Sequence, residues 1–266
     1  MLAPMLECVV NVSEGVDQSV LRQIIAAAGD DLLDLHTDPH HNRSVFTLVG
    51  EIAPRKVASA AVELIDINSH VGVHPRIGAV DVVPFVPLGS SRLAEAHEAR
   101  DDFCEWVASH LGVPCFKYGN ERTLPDIRRE AFTSLQPDVG PGEPHPTAGA
   151  MAVGAREVLV AYNVWLVEAD IELARQIAAS VRGPNLRALG LRVGEKVQVS
   201  MNLTAPAELG PLEATDAVAG LAAVEGCELV GLIPKVVLDA TPKERWTELD
   251  LDPARTIEMR LQDRLY

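Results

Sequence analysis

The chain reads as an α/β (α+β) protein of two similar subdomains, each a mixed β-sheet layered with helices. Three observations carry that expectation. Strand-like and helix-like apolar patterns alternate along both halves. A break at residues 136–147 holds four prolines and two glycines and separates the halves. Apolar residues make up 47% of a 266-residue chain, enough for sizeable cores. The expected subdomains are therefore residues 1–147 and 148–266. Many helices follow single strands or hairpins, which favours mixed sheets over a wholly parallel one. No residue-level repeat links the halves.

Residues 6–12 are apolar and β-branched, which predicts a strand. Ser13 is placed to cap a helix opened by Glu14, with Leu21, Ile24, Ile25 and Ala28 at helical spacing. Residues 31–35 and 44–49 read as short strands. Pro54 suits a helix start, and Val57, Ala60, Ala61, Leu64 and Ile65 form an apolar stripe behind it. Residues 80–86 are an apolar run broken by Pro84, which predicts an edge or irregular strand. Helices are expected over 93–111 and 124–135, with a strand at 114–118. The second half predicts strands at 157–167, 191–193, 196–203 and 227–234. Its helices are expected at 170–181, 212–225 and, briefly, 235–239.

The formal charge of −15 argues against general nucleic-acid binding and against an anionic membrane surface. It leaves room for a small anionic substrate, because a few local arginines set a pocket's potential. Aromatics are only 4% of the residues, so Val, Leu, Ala and Ile must do most of the packing. Cys8, Cys104, Cys115 and Cys227 lie far apart with no CxxC pair. That is neither a disulfide framework nor a zinc knuckle, and reduced thiols in the cytoplasm are expected. The amino terminus lacks a basic region before an apolar stretch, so no signal peptide is expected, and no apolar run reaches membrane-spanning length. GxGxxG, P-loop, GxSxG and HExxH motifs are absent.

The chemistry-bearing residues concentrate between positions 68 and 81. His70 and His74 flank Gly72, and Pro75, Arg76, Gly78 and Asp81 follow. Pro75 fixes its own φ and biases His74 toward extended geometry. An imidazole beside a guanidinium suits proton transfer on an anionic substrate. Five of the eight histidines fall in His36, His40, His41, His70 and His74, accompanied by Asp34 and Asp38. A metal site needs three or four such side chains to converge. The plainer reading is a polar loop with solvated histidines. Asn42-Arg43 at a strand mouth suits a bidentate grip on a carboxylate, or is simply a turn residue and a surface arginine. Asn11 to Gly15 either present amides to an anion or form an ordinary N-cap. His97 and His110 read as surface residues of a helix. Cys8 reads as a core thiol, with nothing nearby to activate it.

Residues 7–15, 33–43 and 72–85 together resemble the formiminotransferase module. That module forms the amino-terminal part of formiminotransferase-cyclodeaminase and also occurs alone as glutamate formimidoyltransferase. The likeness continues through residues 137–141, 154–156, 161–163, 199–203 and 229–234, and so covers nearly the whole chain. It implies a folate cleft between the subdomains, in a homodimer. It implies transfer of a formimino group from N-formimino-L-glutamate to tetrahydrofolate as co-substrate, with no metal. The family's catalytic histidine, directly before Pro-Arg, falls on His74. Gly140, Pro141, Gly142, His145, Pro146, Thr147 and Gly149 match the folate loop, and Asn163 joins them as a folate contact. His36, Asn42, Arg43, Arg76, Asp81, Arg156 and Asn202 are the expected substrate contacts. Among these, Arg43, Arg76 or Arg156 would hold carboxylates of glutamate or of the folate tail.

The chain departs from the family at three places. An acid of the family is His36 here, a glutamate before the catalytic histidine is Val73, and loop aromatics are Pro144 and Ala148. Loss of stacking rings implies folate binding weaker by about 1–3 kcal/mol. Three other readings stay open. One is a divergent member moving a formimino or formyl group to or from another amine. Another is a metal-dependent amidohydrolase-like enzyme using the His36–His74 cluster. The last is a non-catalytic folate-binding protein.

Overall fold

The structure, a computed structural model, describes residues 5–72, 75–119 and 121–264. Val73 and His74 lie outside the described residues, as do residues 1–4 of the amino terminus. Contacts divide the chain into two units, Met1–Glu157 and Val158–Tyr266.

In the first unit β1 (Leu6–Val12) leads through α1 (Gln18–Ala28) to the hairpin of β2 (Leu32–Asp38) and β3 (Arg43–Val49). The chain continues through α2 (Ile52–Leu64) to β4 (Val80–Pro87). Then come α3 (Leu93–Leu111), β5 (Cys115–Tyr118), α4 (Leu124–Glu130) and β6 (Met151–Ala155). The strand order is β2-β3-β1-β4-β6-β5. The first four strands pair antiparallel, whereas β6 pairs parallel with β4 and β5, so the sheet is mixed.

Alternation of side chains gives the sheet two faces. Leu6, Cys8, Val10 and Val12 of β1 join Phe46, Leu48, Val83 and Phe85 in one core cluster. Leu21 and Ile24 of α1, Val57 of α2 and Phe103 of α3 close that cluster. Burial pushes the Cys8 thiol well up, as a core thiol requires. On the opposite face Val82, Phe116 and Ala152 pack with Ile127 of α4.

The second unit runs β7 (Val160–Leu166), α5 (Ile171–Val181), β8 (Leu186–Val193), β9 (Lys196–Leu203), α6 (Pro211–Ala219) and β10 (Val224–Val230). The short helices α7 (Lys235–Ala240) and α8 (Ile257–Asp263) follow. Its strand order is β10-β7-β9-β8, and each of these neighbours pairs antiparallel. Val160, Tyr162, Val164, Val197, Val199 and Met201 meet Ala174 and Ile177 of α5 and Val218 of α6 in a second core. Asp170 caps α5 by accepting from the amides of Glu172 and Leu173. Both units therefore contain a β-α-β-β-α-β run with one strand order, β2-β3-β1-β4 in the first and β8-β9-β7-β10 in the second.

Several sequence expectations change. Ser13 does not cap α1. The Glu14 carboxylate accepts from the amides of Gly15, Val16 and Asp17, which folds residues 14–17 into a turn. Asp17 then caps the helix through the amides of Ser19 and Val20. This also occupies the Gly15 amide, so the reading of residues 11–15 as an anion site loses that donor. Of the two readings of Pro84, the edge one falls, because β4 lies between β1 and β6, and the irregular one holds, because the β1–β4 register is broken. Pairing with β1 passes from Cys8↔Phe85 to Asn11↔Val82, so the missing N–H costs ladder positions without ending the strand. The expected 124–135 helix stops at Glu130, because Phe132 has φ 59 and the chain turns there. Finally, contacts place the division after Glu157 where sequence expects it after 147. The reason is β6, a strand of small residues that pairs with β4 and β5.

Candidate functional site

The β2–β3 turn organises the site. Asp38 Oδ1 accepts from the amides of His40 at 2.8 Å and His41 at 3.1 Å, and its other oxygen pairs with the His41 ring Nδ1. Burial pushes the Asp38 carboxyl up, but the hydrogen bonds from the ring and amide of His41 outweigh it and bring it to about 2. Asn42 closes the turn at φ 46, a conformation asparagine tolerates. Its side chain accepts from Gly15 N at 2.8 Å and donates to Val71 O at 3.0 Å. Asn42 thereby ties the first strand–helix turn to the loop that leads to His74.

Arg76 holds the other end of that loop. Its Nη1 donates to Asn42 O at 3.0 Å and its Nη2 to His41 O at 2.8 Å. The His70 ring lies against the same Nη1, and its Nε2 is 3.1 Å from Asn42 O. Burial, then the Arg76 charge, push the His70 pKa down, so this imidazole is neutral at pH 7. The residues on both sides of His74 in sequence are thus anchored to one peptide segment.

Beside this loop lies a buried charge cluster. The β1–β4 register shifts between Asn11 and Val12, leaving Asp81 as the extra residue between Val80 and Val82. Such a bulge re-aims a side chain. Asp81 Oδ2 accepts from Arg43 Nη1 at 2.7 Å and from Arg128 Nη2 at 2.8 Å, while Oδ1 accepts from Ile77 N at 2.8 Å. Arg43 Nε donates to Asn11 Oδ1 at 3.2 Å. Burial opposes the Asp81 charge, but Arg43 and Arg128 overcome it and hold the carboxyl below its ordinary range. Arg43 is pushed down, first by burial.

The loop at residues 140–149 is fastened to the same region. Ala79 N donates to Ala148 O at 2.9 Å and Ala150 N to Ile77 O at 2.9 Å. Asn68 Nδ2 donates to Pro146 O at 2.7 Å and Ile67 N to Thr147 O at 2.8 Å. His145 Nδ1 accepts from Ala148 N at 3.0 Å, which places the ring proton on Nε2. A Cβ on Gly78 would lie 2.1 Å from Ala150 O, so only glycine permits this approach. Gly140, Pro141, Gly142, Pro146 and Thr147 are exposed, His145 is half-buried, and Gly149 is buried at the base.

The structure brings together Asn42, Arg43, Arg76 and Asp81 from the sequence expectations. His36 is half-buried on β2, opposite Val45. Arg156 follows β6, with Nη1 donating to Glu157 O at 3.0 Å. Asn163 and Asn202 belong to the second unit. The first donates to Glu228 at 2.9 Å and the second is exposed on β9. Among the described residues no three His, Cys, Asp or Glu side chains cluster to hold a metal, and His74 is outside that set. No helix of the described residues is long and apolar enough to cross a membrane. Sequence reasoning misses Arg128. An Arg-Arg pair in the middle of the expected 124–135 helix reads as a solvated face, and nothing local points it at Asp81.

Comparison with known proteins gives this geometry a context. The formiminotransferase domain, N-terminal subdomain, matches residues 5–156. Glutamate formimidoyltransferase of Streptococcus pyogenes serotype M1 is 38% identical over 233 residues, covering 76% of this chain and 78% of that protein. The protein of the same name from Thermoplasma acidophilum is 35% identical over 88% of this chain and 89% of its own length. Formimidoyltransferase-cyclodeaminase of Gallus gallus is 35% identical over 90% of this chain, which spans 52% of that longer protein. A domain match across the whole first sheet, with relatives that extend through the second, makes the chain a member of the formiminotransferase family, enzymes that transfer one-carbon groups.

Proposed function

We propose that the protein catalyses folate-dependent formimidoyl transfer from N-formimino-L-glutamate to tetrahydrofolate, with His74 as general acid/base. One observation supports this reading above the others. The chain on either side of His74 is fixed through His70 and Arg76 to the Asn42 peptide, next to a cluster of arginines. Anchored flanks beside positive charge suit a general acid/base that works on an anionic amidine donor.

The chemistry asks for two proton movements. The folate nitrogen forms a bond to the amidine carbon and loses its proton. The bond from that carbon to the glutamate nitrogen then breaks, and that nitrogen gains a proton. One imidazole titrating near neutrality takes the first proton and returns it in the second step. The 140–149 loop supplies a braced backbone with exposed prolines and no Phe, Tyr or Trp ring for a pterin to stack on.

The test is a coupled assay of formimino-folate production with the wild type and His74→Ala. Activity should fall by roughly 10²- to 10⁴-fold in the variant, with an unchanged thermal melt. Full activity in His74→Ala ends the assignment. A second reading, transfer to or from another amine, draws on Ala148, which is buried in the core where the family carries an aromatic. Equal rates with unrelated formimino donors would favour it.

A further inference from the structure

We propose that Arg128 receives a substrate carboxylate, with Asp81 and Arg43 holding it in position. The inference rests on the transferase reading for the identity of the substrates. It starts from an imbalance of charge. Arg43 and Arg128 share one oxygen of Asp81, so a single carboxylate faces two guanidiniums. Arg76 is within electrostatic reach of all three. Its pKa is pushed down by burial and then by Arg43, with Asp81 easing the effect and Arg128 adding to it.

The donors are divided unequally. Arg43 is buried, with Nη1 on Asp81 and Nε on Asn11. Arg76 has both terminal nitrogens on backbone carbonyls. Arg128 uses only Nη2, and its Nη1 and Nε have no partner among the described residues. Its side chain is 24% exposed. Both oxygens of Asp81 are engaged, by two guanidiniums and the Ile77 amide. A guanidinium pinned at one corner and open along the rest is arranged for the planar fork of a carboxylate. The Asp81 contact removes much of the freedom that a surface arginine would lose on binding.

The carboxylate comes from one of two sources, the glutamate donor or the glutamyl tail of the folate. Steady-state kinetics of Arg128→Gln and Arg128→Lys separate them. A KM raised about 10- to 100-fold, the scale of a charge-assisted hydrogen bond, is expected for one substrate and not the other. A rise for formimino-glutamate assigns the donor, and a rise for tetrahydrofolate assigns the tail. Unchanged KM for both overturns the inference and leaves the transferase reading standing. Calorimetric titration with glutarate tests the site without turnover. Glutarate should bind the wild type and bind Arg128→Gln at least about tenfold more weakly. That result sustains the carboxylate site even if no transfer is found. If neither protein binds glutarate and neither turns over, the inference falls. Arg128→Lys keeps a positive charge for Asp81 but not the fork, so a folded Lys variant with lost affinity excludes a purely structural role.

Discussion

Two guanidiniums meet on one oxygen of Asp81, and the Ile77 amide takes the other. Removing a buried charge from such an arrangement leaves its partners uncompensated, which costs more than the pair contributes. Asp81→Asn should lose about 3–5 kcal/mol at pH 7 in urea denaturation. The folded pKa of Asp81 is depressed, so its contribution is present above the ordinary carboxylate range near about 4 and fades as pH falls below it. The gap between variant and wild type should therefore narrow in acid, and a gap constant from pH 7 to 3 would count against this charge pairing. At this scale the sequence was a partial guide. Asn42, Arg43, Arg76 and Asp81 stand out because polar residues interrupt turn and strand patterns. Arg128 does not, because within the expected 124–135 helix it looks like a surface residue. Its role depends on a partner 47 positions away.

At the scale of elements, the strands and helices follow local pattern closely, while their junctions do not. The α3 expectation at 93–111 coincides with Leu93–Leu111, since a long amphipathic run carries its own signal. Ser13 misleads because serine before an apolar run is a common cap, yet its hydroxyl donates to Gly78 O at 2.8 Å. β6 escapes notice because Met151–Ala155 is short and made mostly of small residues, and its evidence lies in neighbours distant in sequence. Close contact at Gly78 is the element-scale feature with the clearest consequence. Gly78→Ala forces a Cβ to 2.1 Å from the Ala150 carbonyl, whereas Gly183→Ala meets nothing within 4 Å. Gly78→Ala should be less stable than Gly183→Ala by more than about 1 kcal/mol. Equal melting temperatures for the two variants would show that the loops do not meet as described.

Across the whole molecule, one β-α-β-β-α-β run is used twice with the same strand order, though the sequence shows no repeat between the halves. Periodicity fixes which positions are apolar but not which apolar residues fill them, so shared topology need not leave shared residues. The first unit extends its sheet with β6 and β5, and the second remains four-stranded. Each unit has its own core cluster. Residues 158–266, expressed alone, should therefore melt cooperatively by circular dichroism. A broad, featureless melt would mean that the second core is insufficient by itself.

The lacing between residues 67–79 and the 140–149 loop divides that loop into two regimes of tolerance. Ala148 and Gly149 sit at its buried base, where backbone groups are committed to Ile77, Ala79 and His145. Pro141, Gly142 and Pro144 lie on the exposed tip. Insertions or new side chains at the tip fall outside the backbone hydrogen bonds that fasten the base, and should be tolerated without disturbing residues 75–79. At the base no such independence exists. A change that repositions Ala148 pulls on Ala79, and through it on the strand that aims Asp81. Pro144 and Ala148 therefore differ in how freely each position can change. An aromatic ring placed at 144 changes only the exposed surface of the loop, while one placed at 148 asks the core to move.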